Sequence, residues 1–221
     1  MRFSYAESMT DPSFYAPLAR AAEDAGYDSM VVPDSLCYPL DSASRYPFTA
    51  DGSREFLEDK PFLEPFTLIP ALGAITRRLR FVTFVLKLPV RHPVLVAKQA
   101  TSVAVLTGGR LVLGVGSSPW REDYAALGVP WERRGQRMDE ELAIIRGLSS
   151  GGYFEYHGEI FGFPPIKIGT GSSGTGAILI AGKPKISPWC SKYPPADSPR
   201  MTARASSMRR PRSAQGTPVT S

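Results

Sequence analysis

Cysteine and histidine are scarce in this chain of 221 residues, with two of each. Cys37 and Cys190 provide neither a disulfide framework nor the spacing of a zinc site. His92 precedes a proline that starts a predicted helix, and His157 falls in a predicted hairpin turn, with no cluster of carboxylates beside either. We therefore expect no metal site. The low cysteine content is typical of a reducing compartment, so we expect a cytoplasmic protein.

Several motifs that would define other function classes are also missing. No run approaches about 18 apolar residues and no early basic segment precedes an apolar one, so we expect neither a membrane span nor a signal peptide. The chain has no Gly-x-Ser-x-Gly elbow of the kind found in hydrolases. The glycine-rich stretch 169–176 lacks the Lys-Ser or Lys-Thr that would complete a phosphate-binding loop.

Excess positive charge is confined to the end of the chain. The formal net charge is +5, but residues 183–221 hold eight Lys or Arg and one Asp, so that this tail carries +7 and residues 1–182 carry −2. We therefore expect no nucleic-acid interface on the body of the protein. The tail has seven prolines and seven serines and no apolar periodicity, which predicts disorder. A natural basic arm for nucleic acid or an acidic partner is the alternative.

Strand-like and helix-like segments alternate along the rest of the chain. "EPFTLIPALGAITRR" has the pattern of a helix, and the largely apolar run "RLRFVTFVLKLP" after it is typical of a strand in a parallel sheet covered on both faces. "GYFEYHGEIFGF" predicts a small antiparallel hairpin. The alternation predicts an α/β fold with a parallel sheet. Its strands are expected at residues 2–6, 29–33, 80–86, 111–115 and 177–181.

Polar and small residues stand at the ends of these strands, where ligands bind in parallel α/β folds. Asp34 is also open to interpretation as a helix cap or turn residue. Gly114 and Gly116 do not form a dinucleotide-binding fingerprint, because Pro119 occupies the place of its third glycine. Small residues there would instead let a flat ring approach the backbone. The candidates for chemistry are Asp34, Ser35, Thr83, Gly114, Gly116, Ser117 and Ser118.

Two longer segments carry a family resemblance. "LPVRHPVLVAKQATSVAVLTGGRLVLGVG" and "ALGVPWERRGQRMDEELAIIRGL" resemble the bacterial-luciferase-like flavin and deazaflavin oxidoreductases in both the spacing and the order of their motifs. The resemblance runs from Met1 to about Ile168, with a short recovery at residues 178–182. It implies a (β/α)8 barrel of the TIM type and a cofactor that is coenzyme F420 or FMN. The long segment between Pro33 and Pro65 is more similar to the F420-using branch.

The resemblance also implies roles for individual residues. It places a non-prolyl cis peptide or bulge behind the cofactor ring, at Thr83–Phe84, and it gives Asp34 and Ser35 the catalytic position, where many relatives have Asp-His. Serine is no general acid or base near neutral pH without an activating partner. The site is therefore expected to hold a coenzyme and pass a hydride. The implied cofactor-binding residues are Thr83, Phe84, Val85, Gly116, Ser117, Ser118, Ala181 and Gly182.

The function expected from these observations is hydride transfer between F420 and a small organic substrate. An FMN-dependent monooxygenase of the same fold and a non-catalytic barrel fragment are the alternatives. Full-length relatives are expected to be homo-oligomers, with neither nucleic acid nor membrane as a partner.

The predicted strands number five, whereas a closed TIM barrel has eight. We therefore expect an incomplete barrel domain at residues 1–182, a disordered tail at 183–221, and impaired activity. Reading "GTGSSGTGA" displaced by one base, with permissible codons, spells Ala-Pro-Val-Pro-Pro-Glu-Pro-Val-Pro, which is close to the connector of the family. We hypothesise that the gene is frame-disrupted near Ile168 and again near Lys183, with the frame restored around Ile178.

Overall fold

The computed structural model describes residues 1–7, 9–46 and 49–169, together with the backbone of 179–181. All of these residues belong to one compact unit of the chain, Met1–Pro184. The predicted connector at 169–176 lies almost wholly outside the described residues. Gly182 and the tail at 183–221 lie outside them as well.

A parallel sheet forms the centre of the described structure. Its strands are β1 (Ser4–Ala6), β2 (Ser29–Val32), β3 (Arg80–Thr83), β4 (Leu86–Lys87), β5 (Leu111–Gly116) and β8 (Leu179–Ala181). β1 pairs with β2, β2 with β3, and β5 with β3, β4 and β8, in every case in parallel. The predicted α/β fold with a parallel sheet is confirmed.

One predicted strand is interrupted. The segment expected as a single strand at 80–86 forms β3 and β4, which pair with opposite ends of β5. Phe81 lies beside Leu111, and Leu86 lies beside Val115. The six strands of the sheet therefore correspond to the five that the sequence predicts. Within the described residues, β1 pairs only with β2, and β4 and β8 each pair only with β5.

Helices follow the strands as the alternation predicts. Asp11 caps a short 3-10 turn that leads into the first of these helices. Its Oδ1 accepts a hydrogen bond from Ser13 N at 2.9 Å. The short helix α4 (Arg121–Ala126) was not predicted, since its sequence "REDYAA" lacks an apolar stripe. The helices are α1 (Tyr15–Asp24), α2 (Pro65–Ile75), α3 (Pro93–Leu106), α4 (Arg121–Ala126) and α5 (Arg134–Ser149).

The predicted hairpin is present as β6 (Phe154–His157) and β7 (Gly162–Ile166), which pair antiparallel. Its turn is held by α5, because the buried carboxylate of Glu140 accepts hydrogen bonds from the backbone N–H groups of residues 159–161 at 3.1 to 3.3 Å. This interaction satisfies three donors that the turn leaves unpaired. It attaches the hairpin to the body of the domain.

The hydrophobic core lies between the sheet and the helices. Phe81, Leu111 and Leu113 of the sheet are fully buried, as are Ile144 and Ile145 of α5. Helix α3 packs against both α2 and α5, and these three helices cover the face of the sheet against which the core lies. Of the helices in the described residues, none combines the length and the hydropathy needed to span a membrane.

Candidate active site

The carboxyl ends of β2, β3 and β5 bring most of the predicted site residues together. Thr83 ends β3, and its Oγ1 donates a hydrogen bond to Gly114 O of β5 at 2.7 Å. Lys87 N, in β4, donates to Asp34 Oδ2 beyond the end of β2 at 2.8 Å. The backbone of Ala181 pairs with Gly114. The structure therefore places these residues at the carboxyl end of the sheet, where ligands bind in this class of fold.

Asp34 is buried and both of its carboxylate oxygens are engaged. Arg91 Nη1 donates to Oδ2 and Arg91 Nη2 to Oδ1, each at 2.9 Å, and Lys87 N donates to Oδ2. These partners lie far from Asp34 in the sequence. Asp34 therefore links the segment after β2 to β4 and to the segment after β4, and it does not cap a neighbouring turn. To act as a base it would have to leave a two-point ion pair. Its catalytic role stays a prediction.

A second buried ion pair lies beside the first. Lys87 Nζ is 2.8 Å from Asp123 Oδ2, and both side chains are almost completely buried. Ser118 donates its hydroxyl to the same carboxylate, and Trp120 N donates to Ser118 Oγ at 3.1 Å. The predicted cofactor-binding residue Ser118 is therefore 1% exposed and turned toward the protein interior.

Cys37 completes this group from the loop after β2. Its Sγ lies 3.6 Å from Asp123 Oδ1. Cys37 is exposed as a residue, but the partial burial of its thiol, together with the nearby carboxylate, raises the pKa of that thiol. Lys87, Arg91 and Asp123 were not among the site residues predicted from the sequence. A lysine inside the apolar run "FVLKLP" was the one indication that a buried partner would be required.

Gly114 and Gly116 have a packing role. A Cβ on Gly114 would lie 2.1 Å from the carbonyl oxygen of Thr83, and one on Gly116 would lie 2.8 Å from Val85 Cγ2. The neighbouring strand therefore occupies the space that small residues were expected to leave for a flat ring. Thr83 is fully buried and serves the same contact through its hydrogen bond to Gly114.

Phe84 and Val85 form the interruption between β3 and β4. The non-prolyl cis peptide is Phe84–Val85, one residue after the expected Thr83–Phe84 bond. The difference arises because Thr83 still pairs with Val32 of β2, and Phe84 N still donates to Val32 O at 2.9 Å. The Phe84 side chain is 69% exposed, which is unusual for an aromatic ring beside a buried sheet.

Two hydroxyl groups that follow the ends of β2 and β5 remain available for hydrogen bonding. Ser35 is half-buried and Ser117 is exposed, and within the described residues neither hydroxyl makes a hydrogen bond to protein. Ser35 also lines a cavity of about 190 Å³. The remaining lining residues are Leu36, Cys37, Tyr38, Arg54, Leu57, Asp59, Lys60, Phe62 and Trp120.

Comparison with known proteins identifies the relatives of this chain. It is 58% identical over 182 residues to an uncharacterized protein of Mycobacterium tuberculosis (strain ATCC 25618 / H37Rv), a match that covers 82% of this chain and 63% of the relative. It is 31% identical over 199 residues to the F420-dependent glucose-6-phosphate dehydrogenase of Nakamurella multipartita, covering 83% of this chain and 54% of that protein. The chain thus spans less than two thirds of the length of these relatives.

Solved structures share the fold. The crystal structure of riboflavin lyase, with modified FMN and its substrate riboflavin, matches with a TM-score of 0.63 at 18% identity, over 81% of this chain and 49% of that one. A likeness at this identity concerns the fold alone. The sequence profile of the luciferase-like monooxygenases matches residues 4–183, and the chain belongs to that family.

Proposed function

We propose that this chain carries part of the active site of an oxidoreductase that transfers a hydride between coenzyme F420 and a small organic substrate. The observation that carries the proposal is the state of two carboxylates near the carboxyl end of the sheet, one after β2 and one in α4. Asp34 and Asp123 are both buried in ion pairs, with Arg91 and Lys87 respectively. Breaking such a pair is costly, so neither group is poised to take a proton from a substrate. Chemistry at this edge therefore depends on a bound cofactor.

Exposed and half-buried groups at the strand ends suit a planar cofactor ring. The ring of Phe84 and the side chain of Val85 offer apolar surface, and Ser35 and Ser117 offer hydroxyl groups that donate or accept hydrogen bonds. When bound, F420 supplies the carbon that carries the hydride. In this proposal the residues of the chain hold and orient the ring and exclude water from one of its faces.

The choice of F420 over FMN rests on the sequence. The relative from Nakamurella multipartita is described as F420-dependent, and its match extends over most of this chain. FMN is the second candidate, because the riboflavin lyase of the same fold holds a modified FMN. A non-catalytic role as a barrel fragment is the third, since the chain spans 63% of its relative from Mycobacterium tuberculosis.

Cofactor titration tests the proposal. We expect F420 to quench the intrinsic fluorescence of the 221-residue chain with a lower Kd than FMN. Phe84→Ala should raise the Kd for F420 about fivefold or more, because it removes apolar contact area. Phe14→Ala, at an aromatic side chain that is 55% exposed elsewhere, is the matched control.

Three results would argue against the proposed binding of F420. Tighter binding of FMN would favour the flavin-dependent monooxygenase. An equal effect of Phe84→Ala and Phe14→Ala would contradict the placement of the ring. Binding of neither cofactor would favour the non-catalytic fragment.

A further inference from the structure

Arg54 is a buried guanidinium with an incomplete set of partners. It comes from the segment between β2 and α2, and its side chain is 9% exposed. Its Cζ lies 4.6 Å from the ring centroid of Trp120 and 5.5 Å from that of Tyr38. Nη2 is buried and has no hydrogen-bond partner within the described residues. A buried charged donor without a partner is costly, so its retention calls for an explanation.

The nearest carboxylate compensates this charge only weakly. Arg54 Nη1 lies 3.9 Å from Glu122 Oε2, which is too long for a hydrogen bond. Glu122 is already engaged elsewhere, because Ser42 donates to its Oε1 and Ser44 donates to its Oε2, the latter at 2.9 Å. The two aromatic rings position the guanidinium through cation–π contacts, which leave its in-plane N–H donors free for an acceptor.

The cavity beside Arg54 has the features of an anion site. Arg54 and Lys60 both line it, as does the hydroxyl-bearing Ser35 at the end of β2. Within the described residues, the Lys60 ammonium group makes no ion pair, and neither it nor the Ser35 hydroxyl makes a hydrogen bond to protein. Asp59, the one acidic residue in the lining, is exposed to solvent. At about 190 Å³ the cavity admits a compact polar group.

We infer that this cavity, walled by Ser35, Tyr38, Arg54, Lys60 and Trp120, binds the oxyanion of a small organic acid, a carboxylate or a phosphate ester. The inference rests on the proposed function, because it assigns a negatively charged group to the substrate of that site. A planar guanidinium matches two oxygen atoms of such a group, and the cation–π contacts with Tyr38 and Trp120 hold it in place. Lys60 adds a second positive charge at the mouth of the cavity.

Calorimetric titration of the 221-residue chain tests the inference without any cofactor. Sodium acetate and inorganic phosphate are the two probes, and sodium chloride at equal ionic strength is the reference. We expect saturable binding of at least one probe and none of chloride. Arg54→Gln should raise the Kd about tenfold or more, because a charge-assisted hydrogen bond is lost. Lys60→Gln should raise it about threefold, as expected for an exposed charge, and Arg20→Gln, at an exposed arginine on α1, should leave it unchanged.

The outcomes separate the possibilities. Tighter acetate binding assigns a carboxylate, and tighter phosphate binding assigns a phosphate ester. Equal responses to all three salts, or equal affinities of the Arg54→Gln and Arg20→Gln variants, would overturn the inference. If circular dichroism finds Arg54→Gln unfolded, Lys60→Gln decides alone, and an unchanged Kd overturns the site. A chain that binds an oxyanion but neither F420 nor FMN contradicts only the proposed function, whereas one that binds F420 but no oxyanion contradicts only this inference.

Discussion

Arg91 donates a hydrogen bond from each of its two terminal nitrogens to a different carboxylate oxygen of Asp34, each at a distance of 2.9 Å. The Asp34 side chain is 2% exposed and that of Arg91 is 13% exposed, so the pair is largely removed from water. Arg91 Nη1 also donates to Lys87 O at 3.0 Å. The interaction therefore ties the segment after β2 to the segment after β4.

Asp34→Asn should destabilise the protein by about 3 kcal/mol, because it leaves the Arg91 guanidinium buried without its counter-charge. Urea unfolding followed by circular dichroism measures the change. Asp41→Asn, at an exposed aspartate in the loop after β2, is the matched control and should change stability by less than about 0.5 kcal/mol. Equal stability of the two variants would contradict the structural role and favour a purely catalytic Asp34.

Lys87 and Asp123 should show strong energetic coupling. In a double-mutant cycle, Lys87→Met and Asp123→Asn are each expected to destabilise the chain, since each leaves a buried charge or polar group unpaired. The double variant should lose about 2 kcal/mol less than the sum of the two single losses. A coupling energy near zero, measured by the same urea unfolding, would mean that the two side chains do not form a pair in solution.

Two glycine substitutions should have different effects. Gly114→Ala should destabilise by about 3 kcal/mol or more, because its Cβ would lie 2.1 Å from the backbone oxygen of Thr83 and the sheet would have to move. Gly135→Ala, in the first turn of α5, meets no atom within 4 Å and should be neutral or stabilising by up to about 1 kcal/mol. Thermal unfolding of both variants checks the contrast, and similar Tm values would refute the close strand packing at Gly114.

Glu141 should make the stability of the protein depend on pH. Its carboxylate is fully buried, and Arg137 Nε lies 3.1 Å from Oε1 without hydrogen-bond geometry. Burial raises the pKa of Glu141 from 4.5 to about 9, against the opposing effect of Arg137. Above pH 4.5 the unfolded chain loses this proton while the folded chain keeps it. The contribution to stability therefore falls as the pH rises toward 9, by at most about 1.4 kcal/mol per pH unit.

Glu141→Gln tests this dependence, because the amide cannot ionise. The variant should be more stable than the parent at pH 8 and similar to it near pH 4.5, as measured by Tm across the pH range. Glu132→Gln, at an exposed glutamate, should leave the pH profile of the parent unchanged. A parallel displacement of the Glu141→Gln profile at all pH values would show that the carboxyl group is ionised in the folded state.

Nucleotide sequencing of the gene tests the frame hypothesis. We expect the bases around codons 168 to 190 to encode, in a displaced frame, a proline- and valine-rich connector and then a helix rich in alanine and arginine. The expectation comes from the sharp change in composition on either side of residues 178–182. An undisturbed open frame with a matching transcript would contradict it.

The amino-acid sequence determined the parts of this protein that depend on local pattern. The alternation of apolar strands and amphipathic helices predicted the parallel α/β sheet, and the glycine and aromatic spacing of residues 152–163 predicted the hairpin. The spacing of "RHPVLVAKQ" and "GGRLVLGVG" predicted the luciferase-like family. Each of these features is carried by residues that are close together along the chain, so period and spacing suffice to identify them.

The tertiary structure alone decided how the polar residues are used. Asp34 is separated in sequence from Arg91, and Lys87 from Asp123, and no periodicity connects residues at such distances. The sequence placed Asp34 and Ser118 at the strand ends, but the fold supplied the buried partners that engage them. The same holds for Arg54, whose cation–π contacts with Tyr38 and Trp120 join the segment between β2 and α2 to the segment after β5. The physical reason is that the cost of burying a charge depends on the partners that folding brings to it, and these are set by the packing of the whole domain.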